Sequence, residues 1–213
     1  VPRGIVGVIL AGGLSRRMGG RDKSLVEIAG RALAAHVAER LAPQVDRIVI
    51  SANGDPARFA RLGLPVVEDT LPGNPGPLAG IAAAITWARK NHPATTHVLS
   101  MPADTPLFPY DLSERLHAAL PSAQAIAIAR SGGRLHGACG LWPVAVEGRI
   151  FGALASRQNK VLDLVEGGEW VAVDFEAAGP DALDPFFNIN TPEDLERARA
   201  VFERSMPATG NRV

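Results

Sequence analysis

GIVGVILAGGLSRRMGGRDK, residues 4–23, passes without a break from an apolar run into a glycine-rich, cationic stretch. Ile5–Leu10 is continuous and β-branched, which predicts a strand buried on both faces. Leu10–Lys23 then carries four glycines and four cations, Arg16, Arg17, Arg21 and Lys23. Glycine lets backbone N–H groups approach an anion without a side chain in the way. Arginine and lysine neutralise its charge. A strand opening into such a loop is built to hold phosphates. It is not a Walker A loop, because Lys23 follows Asp22 and no Gly-Lys-Ser/Thr occurs. It is not a dinucleotide fingerprint either, since G-x-G-x-x-G is missing.

Downstream of the loop the chain alternates helix and strand. Arg31–Leu41 has Leu33, Val37 and Leu41 at helical spacing, and Pro43 stops it. Arg47–Ser51 reads as a second buried strand, Pro56–Leu62 as a short helix and Pro65–Val67 as a short strand. Pro72–Pro77 is loop, being mostly proline and glycine. Leu78–Arg89 is helical, His97–Met101 a strand and Pro109–Leu120 a helix. Ala125–Ala129 and Ala138–Trp142 follow as strands around a Gly132–Gly133 turn, then Val144–Ala155 and Val161–Val165 as helices. Trp170–Asp174 is a strand and Thr191–Arg204 a last helix, with Thr191 as N-cap and Pro192 at its first position. Trp87, Trp142, Trp170 and Cys139 read as core packing. This order predicts an α/β fold, a Rossmann-like three-layer α/β/α sandwich on a mostly parallel sheet. Ligands of such sheets bind beyond the carboxyl ends of the strands, so the loops after Leu10, Ser51, Val67 and Met101 are expected to share one edge.

Composition narrows the partners. The 213 residues suit one domain, or at most two small ones. Formal net charge is zero, so no global field recruits nucleic acid or an acidic membrane, and anion binding has to be local. Cys139 is the only cysteine, which excludes an internal disulfide and fits a reducing, cytoplasmic compartment. No apolar run reaches the roughly 18 residues of a membrane span, and no signal peptide is expected. The opening Val-Pro-Arg-Gly is left out of the fold argument.

Several residues fall at the expected ligand edge. Asp104, in Met101-Pro102-Ala103-Asp104-Thr105-Pro106, stands past a strand end between two prolines. Asp is a good N-cap, but Pro109 and Asp111 offer a later start for the next helix. Beside a phosphate loop it suits Mg²⁺, which takes one or two carboxylates together with phosphate oxygens and water. Asn53 follows the second strand and Glu68-Asp69 the third; each could be a turn or cap residue alone, and the shared edge favours binding. Pro75-Gly76-Pro77-Leu78-Ala79-Gly80 stiffens a helix entry that could also meet an anion. Asn188 and Asn190 share a side if their stretch is extended, and either bind a polar ligand or pin the last helix. His136, Arg157 and Lys160 form a second candidate anion site, with His136 not read as a general base. No G-x-S-x-G elbow, Cys-His nucleophile pair or zinc spacing occurs. A phosphate cradle, a metal carboxylate and no protein nucleophile together suggest group transfer from a nucleoside triphosphate.

These motifs carry a resemblance. Leu10-Ala11-Gly12-Gly13, Arg17-Met18-Gly19 and Asp22-Lys23 resemble the signature loop of nucleotidyltransferases of the glycosyltransferase-A-like fold, and among them the molybdenum cofactor guanylyltransferases. The likeness continues through Asn53, Glu68-Asp69, Gly76–Gly80, Asp104-Thr105-Pro106, Gly140–Pro143 and Phe187–Glu193. It implies one nucleotidyltransferase domain over residues 1–206; residues 207–213 read on their own as a disordered tail. It implies GMP transfer from GTP to the terminal phosphate of molybdopterin, with pyrophosphate released and Mg²⁺ required. In that scheme Leu10, Ala11 and Gly12 contact the nucleotide, Arg17 and Lys23 hold the phosphates, and Asn53 and Asp69 bind the nucleoside portion. Asp104 binds Mg²⁺, and His136, Lys160, Asn188 and Asn190 lie toward the pterin. A monomer is implied, with transient contacts to proteins that deliver the cofactor or mature molybdoenzymes. Two positions depart from the usual pattern, Gly137 where members often have Pro and Lys160 where they often have Arg. Rival readings are a cytidylyltransferase on the same acceptor, a sugar-phosphate nucleotidyltransferase and a non-catalytic nucleotide binder. Leu10–Gly13 favours GTP over CTP, and sugar-phosphate enzymes are usually longer chains. Retention of both Lys23 and Asp104 argues against a pure binder, which has less need of a metal carboxylate.

Overall fold

The computed structural model describes residues 2–12, 22–69, 76–158, 160–179 and 182–205. Gly13, Arg16, Arg17, Met18, Gly19, Arg21, most of the expected 72–77 loop and the expected tail 207–213 lie outside them.

The strands are β1 (Ile5–Leu10), β2 (Glu27–Ile28), β3 (Arg31–Ala32), β4 (Arg47–Ser51), β5 (Val66–Val67), β6 (His97–Pro102), β7 (Ile126–Ser131), β8 (Arg134–Pro143) and β9 (Trp170–Asp174). The helices are α1 (Leu33–Leu41), α2 (Pro77–Asn91), α3 (Leu112–Ala118), α4 (Glu147–Ala155), α5 (Val161–Glu166) and α6 (Pro192–Ser205). Among the described residues none of these is long and apolar enough to cross a membrane.

A seven-stranded sheet runs in the order β5-β4-β1-β6-β8-β7-β9. β5, β4, β1 and β6 pair in parallel, as do β7 and β9, while β8 runs against both β6 and β7. The reversal is local chemistry: Gly132 (φ 53) and Gly133 (φ 77) close a two-residue hairpin between β7 and β8. The expected strand at 138–142 is therefore the far half of a longer arm that starts at Arg134.

Side chains of β1 alternate between two cores, as a strand's period of two requires. Val6 and Val8 join Ile81, Ile85, Trp142, Ile150 and Val165 on the face covered by α2, α4 and α5. Ile5 and Ile9 join Val37, Leu41, Phe59, Met101, Leu112 and Leu116 on the other face. The three layers follow from this division. Trp142 is fully buried, its Nε1–H donating to Ser100 Oγ at 2.8 Å. Trp87 and Trp170 only edge the first core.

Three helices begin two or three residues later than expected. The helix expected from Arg31 begins at Leu33, because Arg31–Ala32 pairs with Glu27–Ile28 around Ala29 (φ 50) and Gly30 (φ 73). The helix expected over 109–120 spans only Leu112–Ala118, and the one expected from Val144 opens with a 3-10 turn before α4. The small hairpin supports a third core: Ile28 and Leu33 meet Ile189, Ala198, Leu195 and Phe202. His36 joins all of it, bonding the Ile28 carbonyl through Nε2 at 2.8 Å and stacking on Phe202. The residues just after the cationic loop are thereby fastened to α6.

Candidate active site

The carboxyl ends of the central strands are knitted together by backbone bonds. Ala11 N–H donates to the Ser51 carbonyl, Ala52 N–H to that of Val67, and Ala103 N–H to that of Leu10, at 2.9 to 3.0 Å. The loops that carry the predicted residues therefore share one edge, as parallel pairing requires. A cleft opens there, lined by Leu10, Ala11, Gly12, Asp22, Lys23, Ser24, Ala103 and Asp104.

Lys23 is its centre. The ammonium donates to Asp104 Oδ2 at 2.5 Å and to Asn190 Oδ1 at 2.6 Å. The two charged side chains are 16 % and 23 % exposed, so the pair is partly open to solvent. Asp104 is held from behind. The Ile189 N–H donates to its carbonyl at 2.9 Å, and the Thr105 hydroxyl, 3.2 Å from Asp104 Oδ1, donates to Asn188 Oδ1 at 2.6 Å. Asn188 and Asn190 thus turn toward the Asp104–Lys23 pair from the segment that precedes α6. That helix is fixed by a reciprocal cap: Thr191 Oγ1 accepts from Asp194 N–H, and Asp194 Oδ2 accepts from the Thr191 and Asn190 N–H groups.

A second cluster adjoins it. Asn53 Nδ2 donates to Asp69 Oδ2 and Asp69 N–H donates back to Asn53 Oδ1, both at 3.0 Å. Ser51 Oγ donates to the other carboxylate oxygen at 3.1 Å. Asp69 Oδ2 faces Gly12, where a Cβ would stand 3.9 Å away. Glu68 is exposed and, among the described residues, joins no such network. Gly80, in the first turns of α2, lies against the same strand ends: a Cβ there would come within 2.6 Å of Ser51 Oγ and 2.7 Å of Leu10 Cδ2. Ahead of it Gly76 (φ 83) precedes Pro77 at the first position of α2, which preserves the stiff helix entry.

The third group is set apart on β8. His136 Nε2 lies 2.7 Å from Ser131 Oγ, which donates to Asp184 Oδ2 at 2.6 Å, and the ring stacks on Phe186. Burial lowers the His136 pKa, with Arg134 adding to the effect and Asp184 opposing it. Cys139 is buried between the groups, and its thiol is pushed far up, by burial first and then by the charges of Asp104 and Asp184. It is a packing residue, as expected. Lys160 is exposed, just ahead of α5, and a Cβ on Gly137 would press on Val161 at 3.1 Å. Arg157 ends α4 with a left-handed backbone (φ 59).

Among the described residues no three His, Cys, Asp or Glu side chains converge as a metal cage. In the cleft, Asp22 is committed to Arg58 at 2.8 Å and to Ser24, and Asp104 to Lys23. Sequence reading missed the roles of Arg58 and Ser51, and read Gly80 only as part of the helix entry. Nothing in their spacing marks the contacts they make, since each acts through a residue distant in the chain.

The family model for the MobA-like NTP transferase domain matches residues 7–168. The chain is 46 % identical over 203 residues to a molybdenum cofactor guanylyltransferase of Rhodopseudomonas palustris (strain BisB5), covering 91 % of this chain and 92 % of that one. It is 47 % identical over 195 residues to the protein of that name from Bradyrhizobium sp. (strain ORS 278), covering 91 % of each. Its fold is similar to the crystal structure of molybdopterin-guanine dinucleotide biosynthesis protein A from Archaeoglobus fulgidus, with a TM-score of 0.70, 23 % identity and coverage of 94 % and 99 %. The chain belongs to the MobA-like NTP transferase family, and within it to the molybdenum cofactor guanylyltransferases.

Proposed function

We propose that the cleft at Gly12, Lys23 and Asp104 is where the chain transfers GMP from GTP to the terminal phosphate of molybdopterin. A phosphate oxygen of the acceptor bonds to the α-phosphorus of GTP, the bond between that phosphorus and the bridging oxygen breaks, and pyrophosphate leaves. The product is the guanine dinucleotide form of the cofactor. The observation that carries this reading is the Lys23–Asp104 pair in a cleft floored by Leu10, Ala11 and Gly12. A triphosphate needs a cation at its oxygens and a carboxylate that can bring a metal to them, and these two side chains supply one of each.

The residues divide the work. Leu10, Ala11 and Gly12 pass the nucleotide along backbone rather than side chain. Lys23, with Arg17 from the adjoining loop, neutralises charge gathering on the leaving pyrophosphate. Asn53 and Asp69 meet the nucleoside portion. Their mutual bonds leave the carboxylate further lone pairs for N–H donors of a base. Asp104 would hold Mg²⁺, whose charge would stabilise the triphosphate. His136 and Lys160 face the pterin side, and Asn188 and Asn190 stand between that side and the Lys23–Asp104 pair. Lys160 offers the acceptor a point charge rather than a bidentate fork.

The test is turnover with Mg²⁺, molybdopterin loaded with molybdate, and labelled GTP or CTP, following pyrophosphate. Release with GTP and incorporation of label into the pterin are expected. Release from CTP alone would overturn the guanine reading, and release from neither would leave a nucleotide-binding protein.

A further inference from the structure

Arg58 lies in the 3-10 turn Pro56–Leu62 and is not itself among the residues that line the cleft. Its guanidinium nevertheless spends three donors on fixed acceptors. Nε donates to Asp22 Oδ2, Nη2 to the Asn53 carbonyl and Nη1 to the Asp55 carbonyl, each at 2.8 Å. The plane of the guanidinium rests over Phe59, 4.6 Å from its centroid, and Phe59 is buried in the second core. The fork is therefore anchored to the body of the protein and aimed at two loops.

What those loops carry gives the contact its meaning. Asp22 uses its other oxygen, Oδ1, to accept from the N–H and hydroxyl of Ser24 at 3.0 and 2.5 Å, closing the turn that begins at Lys23. Asn53 holds Asp69 by two reciprocal bonds. One guanidinium thus joins the turn that presents Lys23 to the loop that presents Asn53, across 36 positions of sequence. With those donors committed, Arg58 is poorly suited to bind phosphate itself. Its planar fork suits three acceptors in different directions, which the ammonium of a lysine could not reach together.

We propose that Arg58 is a positioning residue for GTP, a strut that sets the separation between the phosphate-holding turn at Lys23 and the nucleoside-holding pair Asn53–Asp69. The inference rests on the roles given above to Lys23, Asn53 and Asp69. Misplacement of a binding group by an ångström costs one to two orders of magnitude in rate, so losing the strut degrades handling of GTP while the acceptor side stays as it was.

Steady-state pyrophosphate release on the full chain tests this with Arg58→Ala, Arg58→Lys, Asp22→Asn, the Arg58→Ala/Asp22→Asn double and Lys23→Ala, each with a thermal melt. Asp22→Asn keeps an oxygen for Ser24 and loses the charge that faces Arg58. The strut predicts a KM for GTP raised about tenfold in each Arg58 and Asp22 single variant, with the KM for molybdopterin within about twofold of wild type. It also predicts a double variant no worse than the more impaired single, the signature of residues acting as one unit. Effects that multiply in the double overturn the proposal. So does a wild-type KM for GTP in Arg58→Ala when Lys23→Ala is impaired, or an equal loss toward both substrates that follows the melting temperature. If Lys23→Ala handles GTP like wild type, the underlying reading of the site fails, and the strut with it. Should Arg58→Ala not fold, Arg58→Lys and Asp22→Asn carry the same comparison.

Discussion

Gly80→Ala sets two opposing effects against each other at one methyl group. In α2 alanine is the better helix former by about 1 kcal/mol, so a helix with room at this position would gain stability. There is no room. The added Cβ would lie 2.6 Å from Ser51 Oγ, 2.7 Å from Leu10 Cδ2 and 3.1 Å from Ser51 Cβ. Carbon contacts settle near 3.5–4.0 Å, so one side must yield by roughly 1 Å. Overpacking of this kind costs about 1–3 kcal/mol, which leaves a net loss of about 1 kcal/mol after the propensity gain. The consequence for the site is larger than that figure suggests. Ser51 is 2 % exposed and its hydroxyl holds Asp69 Oδ1 at 3.1 Å. A shift of 1 Å carries that bond past hydrogen-bonding range and moves Leu10, which lines the cleft. Urea unfolding and the KM for GTP should therefore both worsen, the second by about tenfold. Gly152→Ala in α4 is the control, because nothing lies within 4 Å of its Cβ; it should gain up to about 1 kcal/mol. Stabilisation of Gly80→Ala to match that control, with an unchanged KM, would show that α2 has slack over Ser51 and refute the reasoning.

Asp104→Ala should lower kcat by at least about a hundredfold, as removal of a group that stabilises developing charge does. It should alter unfolding free energy by no more than about 1 kcal/mol, since the pair with Lys23 is partly open to solvent; near-normal turnover would remove it as the metal carboxylate. Lys23→Ala should likewise cost more in rate than in stability, and a variant that fails to fold would mark the lysine as a structural residue of its loop. A pH effect belongs to His97, whose pKa burial, and then His117 beside it, lower to about 4. Between pH 6.5 and 4 the unfolded chain binds a proton that the folded one refuses. Stability present above pH 6.5 is therefore lost as pH falls toward 4, by up to about 3 kcal/mol. Urea titrations at pH 7 and 5 should diverge less in His97→Phe than in wild type, and an identical divergence would exclude His97 as the source.

The parts of the fold and site that were readable in the sequence share one property: each is marked by its immediate neighbours. β1, β4 and β6 are apolar runs because both of their faces are covered, and the run itself reports that. Asn53, Asp69 and Asp104 could be picked out because each stands just past such a run, and parallel pairing brings strand ends to one edge. The hairpin at Glu27–Ala32 escaped because two-residue strands have no period, and because Ala29 takes a left-handed conformation that glycine would have signalled. The third core escaped for a different reason: Ile28 and Ile189 meet only once the chain is folded, and neither sits in a stretch that implies the other. Arg58, Ser51 and the close packing of Gly80 are of this second kind. Gly80 looks like a weakness within a helix until Ser51 and Leu10 are placed beneath it, and Arg58 looks like solvated charge until Asp22 and Asn53 reach it. The position of Lys23 shows why this matters for function. Its ammonium bonds to Asp104 and Asn190, and the turn it begins is closed by Asp22, which Arg58 holds in place. Asn190 is in turn held by the cap of α6, and α6 packs on the hairpin that follows Lys23. The signature loop supplies the lysine, but its setting comes from segments up to 167 positions away. Variants in α6 that loosen the third core should therefore alter GTP handling before they alter the sheet, although among the described residues no side chain of that helix lines the cleft.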